Sequence, residues 1–169
     1  MIATHRPLGI ASAFAVLLID QLSKWLIVDR VALPDRMLIQ ITSIFDLRWV
    51  ENYGVSMGFL IAGSTQERWM LVGVTGLIAV AVATWMWREK ARIDVVALGF
   101  VLGGALGNIA DRTRLGYVAD FLDLHFGTWH PFLVFNVADA AITIGVLLLV
   151  LRALFVREGK APAENVDAI

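Results

Sequence analysis

Cysteine is absent from this chain of 169 residues. Its absence excludes disulfide bonds, thiolate metal sites and a cysteine nucleophile. Histidine is scarce: the three histidines, His5, His125 and His130, are not spaced as a ligand cluster, so no zinc site is expected. The chain also lacks a large excess of positive or negative charge. With a formal net charge of −1, the chain has no basic stripe to neutralise phosphates, which excludes nucleic acid as a partner.

Charged residues of either sign are few, at 17%, whereas 59% of the chain is hydrophobic and the mean hydropathy is +0.74. A soluble domain of this length carries more charge, so lipid is the expected solvent. Four apolar stretches are long enough to cross a hydrocarbon core, which takes about 20 residues. They run over residues 8–28, 69–87, 95–110 and 137–155, and the third must borrow flanking residues.

The first stretch could be mistaken for a secretory signal peptide. It is too long for one, it carries Asp20 and Lys24, and no small-residue cleavage site follows it. We therefore interpret it as a retained helix. The whole chain, residues 1–169, is then expected to be a single integral membrane domain, with a frayed tail over about residues 159–169.

An even number of spans places both termini on the same side of the membrane. Positive charge is dense around the short second loop and at and after the end of the last span, at Arg88, Lys90, Arg92, Arg152, Arg157 and Lys160. Such density marks the cytoplasmic side, so we expect cytoplasmic termini. The first and third loops, at about residues 29–68 and 111–136, would then face outward.

The first loop has the sequence features of β-structure. Apolar and polar residues alternate over residues 45–49 with the strand period of two, and Gly54, Gly58 and Gly63 then predict turns or bends. A small curved sheet on the membrane surface fits this pattern better than a helix. The predicted fold class is an all-α membrane protein of four transmembrane helices with a small β element, an extracytoplasmic cradle.

Asp120 and Asp139 are both predicted near the outer boundary of the membrane. A carboxylate entering lipid costs about 2.5–3.5 kcal/mol on insertion scales, so each indicates a functional site, and each is a natural partner for the other. Two close carboxylates share a proton, and the pair can then activate water and polarise a carbonyl. Alternatively, Asp139 caps the fourth helix and Asp120 is a solvated loop acid. Asp111 and Asp123 are rival partners.

Polar residues near these acids also have two interpretations each. Asn136 lies three residues before Asp139, so it either orients that carboxylate or caps the helix. Asn52 precedes a glycine-containing bend and could be a simple turn residue. Asp20 and Lys24 stand at i and i+4, which predicts a local ion pair with a structural role.

The end of the third span combines small and polar residues. Gly103 and Gly107 form a small-xxx-small face that favours close helix packing. Asn108 and Asp111 lie one turn apart. Arg112 either pairs with Asp111 or faces the outer polar layer, where it could hold a substrate backbone or tune the acids.

Five blocks of sequence occur in order between Asp20 and Asp139, and together they resemble the bacterial lipoprotein signal peptidase (signal peptidase II) family. The blocks are Ile19-Asp20-Gln21 with Lys24, Glu51-Asn52-Tyr53-Gly54, Gly104 with Gly107-Asn108 and Asp111-Arg112, Val118-Ala119-Asp120-Phe121, and Phe135-Asn136-Val137-Ala138-Asp139. The ordered set is far more specific than any block alone. Departures are small: Tyr53 and Val55-Ser56-Met57 are bulkier than the Thr and Ala expected after Asn52.

The resemblance implies an aspartic endopeptidase of the bacterial inner membrane that removes signal peptides from prolipoproteins. It would cut before a cysteine that carries a diacylglyceryl group, without metal or organic cofactor. The implied roles are catalysis for Asp120 and Asp139, substrate binding for Asn52, Asn108, Arg112 and Asn136, and structural support for Asp20, Lys24 and Asp111. The implied architecture adds a β-cradle and a short helical element. The helical element is expected in the third loop. Substrate and membrane lipids are the expected partners of a monomer.

Three further hypotheses accompany this interpretation. The cradle is predicted to act as a lid through Gly54 and Gly58, because glycine tolerates unusual dihedral angles. A small proton-coupled transporter would instead use Asp20, Lys24 and Asp139 as a pathway, although few helices and no repeats argue against it. A noncatalytic assembly factor would need only the packing face at Gly103 and Gly107.

Overall fold

The computed structural model describes residues 5–54 and 65–155. Several sequence predictions therefore lie outside the described residues: the bends at Gly58 and Gly63, the segment Val55-Ser56-Met57, the Gly58 part of the lid and the tail beyond residue 159. Within the described residues, four helices are long and apolar enough to cross a membrane, and each contains one of the predicted spans. The protein is a multi-pass membrane protein.

The first long helix, α1, covers Arg6–Trp25 and continues as one wider, π-helical turn over Leu26–Arg30. The next two long helices are α3 (Thr65–Arg88) and α4 (Arg92–Arg114), and the last is α5 (Val137–Phe155). Large apolar side chains remain exposed on these helices, for example Leu77 at 74% and Leu154 at 68%. In a membrane such faces contact lipid tails, which explains why apolar residues surround each helix.

Helix α4 lies at the centre and packs against the other three long helices. Its glycines face its neighbours: Gly103 meets α1 at Ala13, and Gly104 meets α5 at Ala138. Gly107 faces Asp20, and a Cβ built on Gly107 would lie 2.5 Å from Oδ2 of that aspartate. Backbones that approach this closely leave no room for a side chain. The packing face predicted at Gly103 and Gly107 is thus present, and it brings polar residues of three helices together.

Three strands form an antiparallel sheet in the order β1 (Leu38–Gln40), β2 (Phe45–Asn52) and β3 (Val118–Leu124). The predicted β element in the first loop is confirmed. Between Leu47 and Val50 the register of β2 against β3 shifts, so that an extra residue is inserted into β2. Such a bulge bends a strand and increases its twist, and it often lies next to a functional site.

The short helical element is not in the third loop, where we expected it. It is α2 (Leu33–Arg36) in the first loop, and the third loop contributes strand β3 instead. Five of the seven residues from Val118 to Leu124 are buried and the other two are partly buried, so strand β3 is covered on both faces. A strand buried on both faces lacks the alternation by which strands are recognised in a sequence.

Candidate active site

Asp120 lies in strand β3 and is 1% exposed. Its Oδ2 accepts a hydrogen bond of 2.9 Å from Nδ2 of Asn52, and its Oδ1 accepts one of 2.6 Å from Nδ2 of Asn136. Asn52 ends the neighbouring strand β2, where the register after the bulge pairs Val50 with Asp120. The bulged sheet therefore brings the Asn52 amide to the buried carboxylate.

Asp139 lies in the first turn of α5 and is only partly buried. Its Oδ1 accepts a hydrogen bond of 2.8 Å from Nδ2 of Asn108, and its Oδ2 accepts one of 3.2 Å from the backbone N–H of Asn136. The N–H of Asp139 in turn donates to Oδ1 of Asn136 at 3.0 Å. This reciprocal pair caps the helix.

Asn136 combines both of the functions considered for it in the sequence. It caps α5 through its Oδ1, and it donates to Asp120 through its side chain and to Asp139 through its backbone. Because one residue donates to both carboxylates, the predicted pair of acids is brought together in a single hydrogen-bond network. The N-cap alternative for Asp139 is thus an addition to the pairing and does not compete with it.

The environment of Asp120 favours its protonated form. Burial raises the pKa of Asp120 to about 6, and the charge of Asp139 acts in the same direction, whereas hydrogen bonds from Asn52 and Asn136 and the charge of Lys24 oppose the shift. A carboxyl group with a raised pKa, beside a second carboxylate, can hold a proton for acid catalysis near neutral pH.

An open apolar cavity of about 300 Å³ reaches Asp139 from one side. Its lining is Phe132, Phe135, Asp139, Ala140, Thr143 and Ile144, which come from α5 and the loop before it. Asp139 is the one acid in this lining, and Asn136 joins it to the buried Asp120. A ligand with an apolar surface could therefore reach the pair of acids along this groove.

A buried ion network supports the site from the opposite side. Nζ of Lys24 lies 2.9 Å from Oδ2 of Asp20, as the i, i+4 spacing predicted, and 2.7 Å from Oδ2 of Asp111. Oδ1 of Asp20 accepts a hydrogen bond of 2.9 Å from the N–H of Ala138 at the start of α5. Asp20 thus links α1 to the helix that carries Asp139, a tertiary contact that sequence spacing could not indicate.

Arg112 lies on α4 with its charge directed toward the acids. Its guanidinium interacts electrostatically with Asp139, Asp120 and Asp111, and its Nε is buried without a hydrogen-bond partner in the described part of the chain. The ion pair of Asp111 is formed with Lys24. Arg112 therefore keeps a buried donor without a hydrogen-bond partner in the described residues, and its charge lies near the acids.

Asp123, considered as a rival partner, is engaged elsewhere. Its carboxylate lies 2.7 Å from Nε of Arg48 and 2.9 Å from Nδ1 of His130. Burial opposes ionisation, but hydrogen bonds from His130 and Arg48 outweigh it and lower the pKa of Asp123. Sequence reasoning missed this cluster, because Arg48 lies 75 residues before Asp123 and His130 belongs to the loop after strand β3. The cluster holds the third loop, which leads to Phe132 and the groove, against strand β2.

The fold and this geometry define a class: an integral membrane protein of four spans with two aspartates joined in one polar network beside an apolar groove. A family model described as signal peptidase (SPase) II matches residues 12–155. The chain belongs to the signal peptidase II family, and it is a peptidase. Family membership decides against the transporter and assembly-factor hypotheses.

Relatives named lipoprotein signal peptidase match nearly the whole chain. The relative from Rhizorhabdus wittichii is 75% identical over 165 residues, which are 98% of this chain and 96% of that protein. The relative from Sphingopyxis alaskensis is 51% identical and covers 92% of this chain and 90% of its own length. One from Escherichia coli is 37% identical, covering 86% and 88%.

Two solved structures, both described as bacterial membrane enzymes, share the fold. One has a TM-score of 0.73 at 28% sequence identity and covers 87% of this chain and 92% of its own. The other has a TM-score of 0.72 at 26% identity, covering 90% and 93%. The arrangement of four long helices and a small sheet is therefore that of a membrane enzyme.

Proposed function

We propose that this protein removes the signal peptide from diacylglyceryl-modified prolipoproteins, cutting on the N-terminal side of the lipidated cysteine. The observation that carries the proposal is the joint hydrogen bonding of Asp120 and Asp139 by Asn136, next to an apolar groove that reaches Asp139. The relatives' name, lipoprotein signal peptidase, supports the same substrate class. A signal peptide is apolar, so it suits the groove.

The two aspartates take different roles in the proposed reaction. Asp139 borders the groove and removes a proton from the attacking water, while Asp120 donates its proton to the carbonyl oxygen. In the resulting tetrahedral diol, Asp139 returns its proton to the leaving nitrogen as the C–N bond breaks. Asp120 recovers a proton as the new carboxyl group forms. The raised pKa of Asp120 supports its assignment as the acid.

The polar residues around the acids hold the substrate or the acids in place. Asn52, Asn108 and Asn136 donate hydrogen bonds to the two carboxylates, which leaves their orientation fixed while a peptide enters. Arg112 is partly exposed, and its guanidinium group donates to a peptide carbonyl near the scissile bond. Asp20, Lys24 and Asp111 compensate one another's charge below the site.

The proposed placement follows the positive charge of the chain. Both termini lie in the cytoplasm of a bacterial cell, because the short connection between α3 and α4 is flanked by Arg88 and Arg92 and contains Lys90. The sheet and the acids then lie near the outer interface of the inner membrane, where water reaches Asp139 and acyl chains stay in lipid. The single domain works as a monomer, with membrane lipids as its other contacts.

Cleavage of a defined substrate tests this function. Purified protein in lipid vesicles is mixed with a diacylglyceryl-modified prolipoprotein, and the product is followed by its shift on a gel. We expect cleavage of the lipidated substrate and none of the same chain with an unmodified cysteine. Equal cleavage of both would contradict the proposed lipid requirement, and cleavage of neither would contradict the function.

The pH dependence should report the proton on Asp120. In the free enzyme kcat/KM is expected to fall as the pH rises through about 6, because the acid form of Asp120 is lost there. A bound peptide excludes further water and raises this pKa again, so kcat should fall at a higher pH than kcat/KM. The pH profiles of kcat/KM and of kcat, measured with one lipidated substrate, show which of the two falls at the higher pH. A kcat limb at the lower pH would contradict it.

Arg112→Gln is expected to weaken substrate binding. Hydrogen bonds from charged groups contribute about 1.5–3 kcal/mol, so loss of this donor should raise KM by about 10- to 100-fold. The matched control is Arg114→Gln on the same helix, where the side chain is exposed and donates to Oε1 of Gln21 at 3.2 Å. Kinetics of the two variants should differ in KM; identical values would remove Arg112 from the binding site.

A further inference from the structure

The ammonium group of Lys24 contacts more than the two carboxylates that balance its charge. Besides Asp20 and Asp111, its Nζ donates to Oδ1 of Asn108 at 3.4 Å. Lys24 is buried, with 6% of its surface exposed, and the carboxylates hold its head in place from α1 and α4. The contact with Asn108 connects the ion network to the active site.

The hydrogen-bond partners of Asn108 fit one of the two orientations of its side-chain amide. Its Oδ1 accepts from Lys24 and, at 3.2 Å, from Nδ2 of Asn136. Its Nδ2 then points to Asp139 and donates to Oδ1 of that carboxylate at 2.8 Å. A reversed amide would place its N–H groups against two donors and its oxygen against a carboxylate, both of which are repulsive.

We propose that Lys24 is a positioning residue for the acid pair, which acts through Asn108 to hold Asp139 in its reactive orientation. The inference rests on the proposed function and deepens it. A merely structural role, in which Lys24 only joins α1 to α4, would need the two carboxylates but not the contact with Asn108. In the proposed role, the ammonium group of Lys24 fixes the orientation of the Asn108 amide. That orientation directs the Asn108 N–H group toward Asp139.

The charge of Lys24 has a second effect that makes the proposal measurable. Three charged groups act on Asp120: Asp139 from α5, Arg112 from α4 and Lys24 from α1. Of these, the positive charge of Lys24 lowers the pKa of Asp120, against the larger effect of burial. Removal of the Lys24 charge should therefore raise the pKa of Asp120. The pH at which activity falls on the alkaline side should move up with it.

Lys24 is also accessible from a side that the substrate does not use. A second cavity, of about 240 Å³, has Gln21, Lys24, Asp29, Asp111 and Arg114 among its lining residues, and none of these five lines the apolar groove at Asp139. A small cation entering this cavity could stand in place of a missing ammonium group without competing with substrate.

The first test compares Lys24→Met with wild type, using a lipidated prolipoprotein in vesicles. We expect kcat to fall by about 10- to 100-fold, since small misplacement of a reacting group has effects of that size, with KM nearly unchanged. The alkaline limb should move to higher pH, and ethylammonium should restore part of kcat. A kcat and pH profile equal to those of wild type, in folded protein, would overturn the proposal.

Arg152→Met is the matched structural control. It removes an ion pair of 3.0 Å between Arg152 on α5 and Asp94 on α4, far from the acids along both helices. It should lower the thermal stability while leaving kcat and the pH profile as in wild type. The same pH shift in Arg152→Met would show that the shift reports loosened packing, which also overturns the proposal.

A second variant covers the case in which Lys24→Met does not fold. Lys24→Arg keeps the charge between the carboxylates, but a planar guanidinium cannot reach all three oxygens from the same place. We expect kcat to fall without a shift of the alkaline limb, and Lys24→Arg should lower kcat no further in a protein that already carries Asn108→Ala. Additive losses in the double variant, or a wild-type kcat in Lys24→Arg, would overturn the route through Asn108. If wild type itself cuts nothing, the proposed function fails first.

Discussion

Asp139→Asn is expected to abolish cleavage while leaving a folded protein. The substitution removes the base that activates water, and general acid–base catalysis contributes on the order of 10²–10⁴-fold for one such group. The amide is nearly isosteric, so the capping bond from its backbone N–H to Asn136 survives, and α5 should still begin at Val137. Asp120→Asn should be equally inactive, because the proton donor is lost. Both rates are measured with the lipidated substrate.

Asp35→Asn supplies the matched control for these variants. It makes the same chemical change in the first loop, at an exposed aspartate of the short helix α2. Its turnover should equal that of wild type. Turnover within a few fold of wild type in either Asp120→Asn or Asp139→Asn, with the fold verified, would remove the two aspartates from catalysis but leave the peptidase family assignment untouched.

Gly107→Ala is expected to damage both stability and activity. An added Cβ would lie 2.5 Å from Oδ2 of Asp20 and 3.4 Å from Cβ of Ala138. Asp20 cannot yield easily, because it is fully buried and bonded to both Lys24 and the start of α5. Overpacking of this kind costs about 1–3 kcal/mol, and here the displaced element is the helix that carries Asp139.

The expected result for Gly107→Ala is a lower Tm and a kcat reduced by about 100-fold, in line with a misplacement of about 1 Å at the reacting groups. Gly76→Ala is the control, since a Cβ at Gly76 meets nothing within 4 Å. It should match or slightly exceed the wild-type Tm and keep full activity. Equal Tm and kcat in the two variants would contradict the close packing at Gly107.

The helices of this fold could be read from the sequence because lipid leaves a simple signal, an apolar run of fixed length. Strand β3 could not, because burial of both its faces removes the alternation that marks a strand. The helical element was expected in the third loop, but the structure places it at Leu33–Arg36 in the first. Four residues are too few for a helical period to be visible.

The site residues that act through local spacing could be predicted from the sequence, whereas those that meet through tertiary packing could not. The cost of burying charge singled out Asp120 and Asp139, and ordered motifs gave the surrounding asparagines. Local spacing gave the ion pair of Lys24 with Asp20. The partnership of Lys24 with Asp111 depends on how α1 meets α4, and that of Arg48 with Asp123 depends on the register of β2 and β3. No spacing within one segment encodes these contacts.

The cap of α5 has a consequence for the life of the enzyme in the cell. The N-terminus of that helix is bonded by Asn136 and by Asp20 of the first helix, and Asn136 also joins the two acids. On the proposed mechanism, the hydrolytic centre is therefore complete only when α5 has docked on α1. A nascent chain still leaving the insertion machinery carries separated, harmless carboxyl groups. Its proteolytic capacity begins only with completed biogenesis.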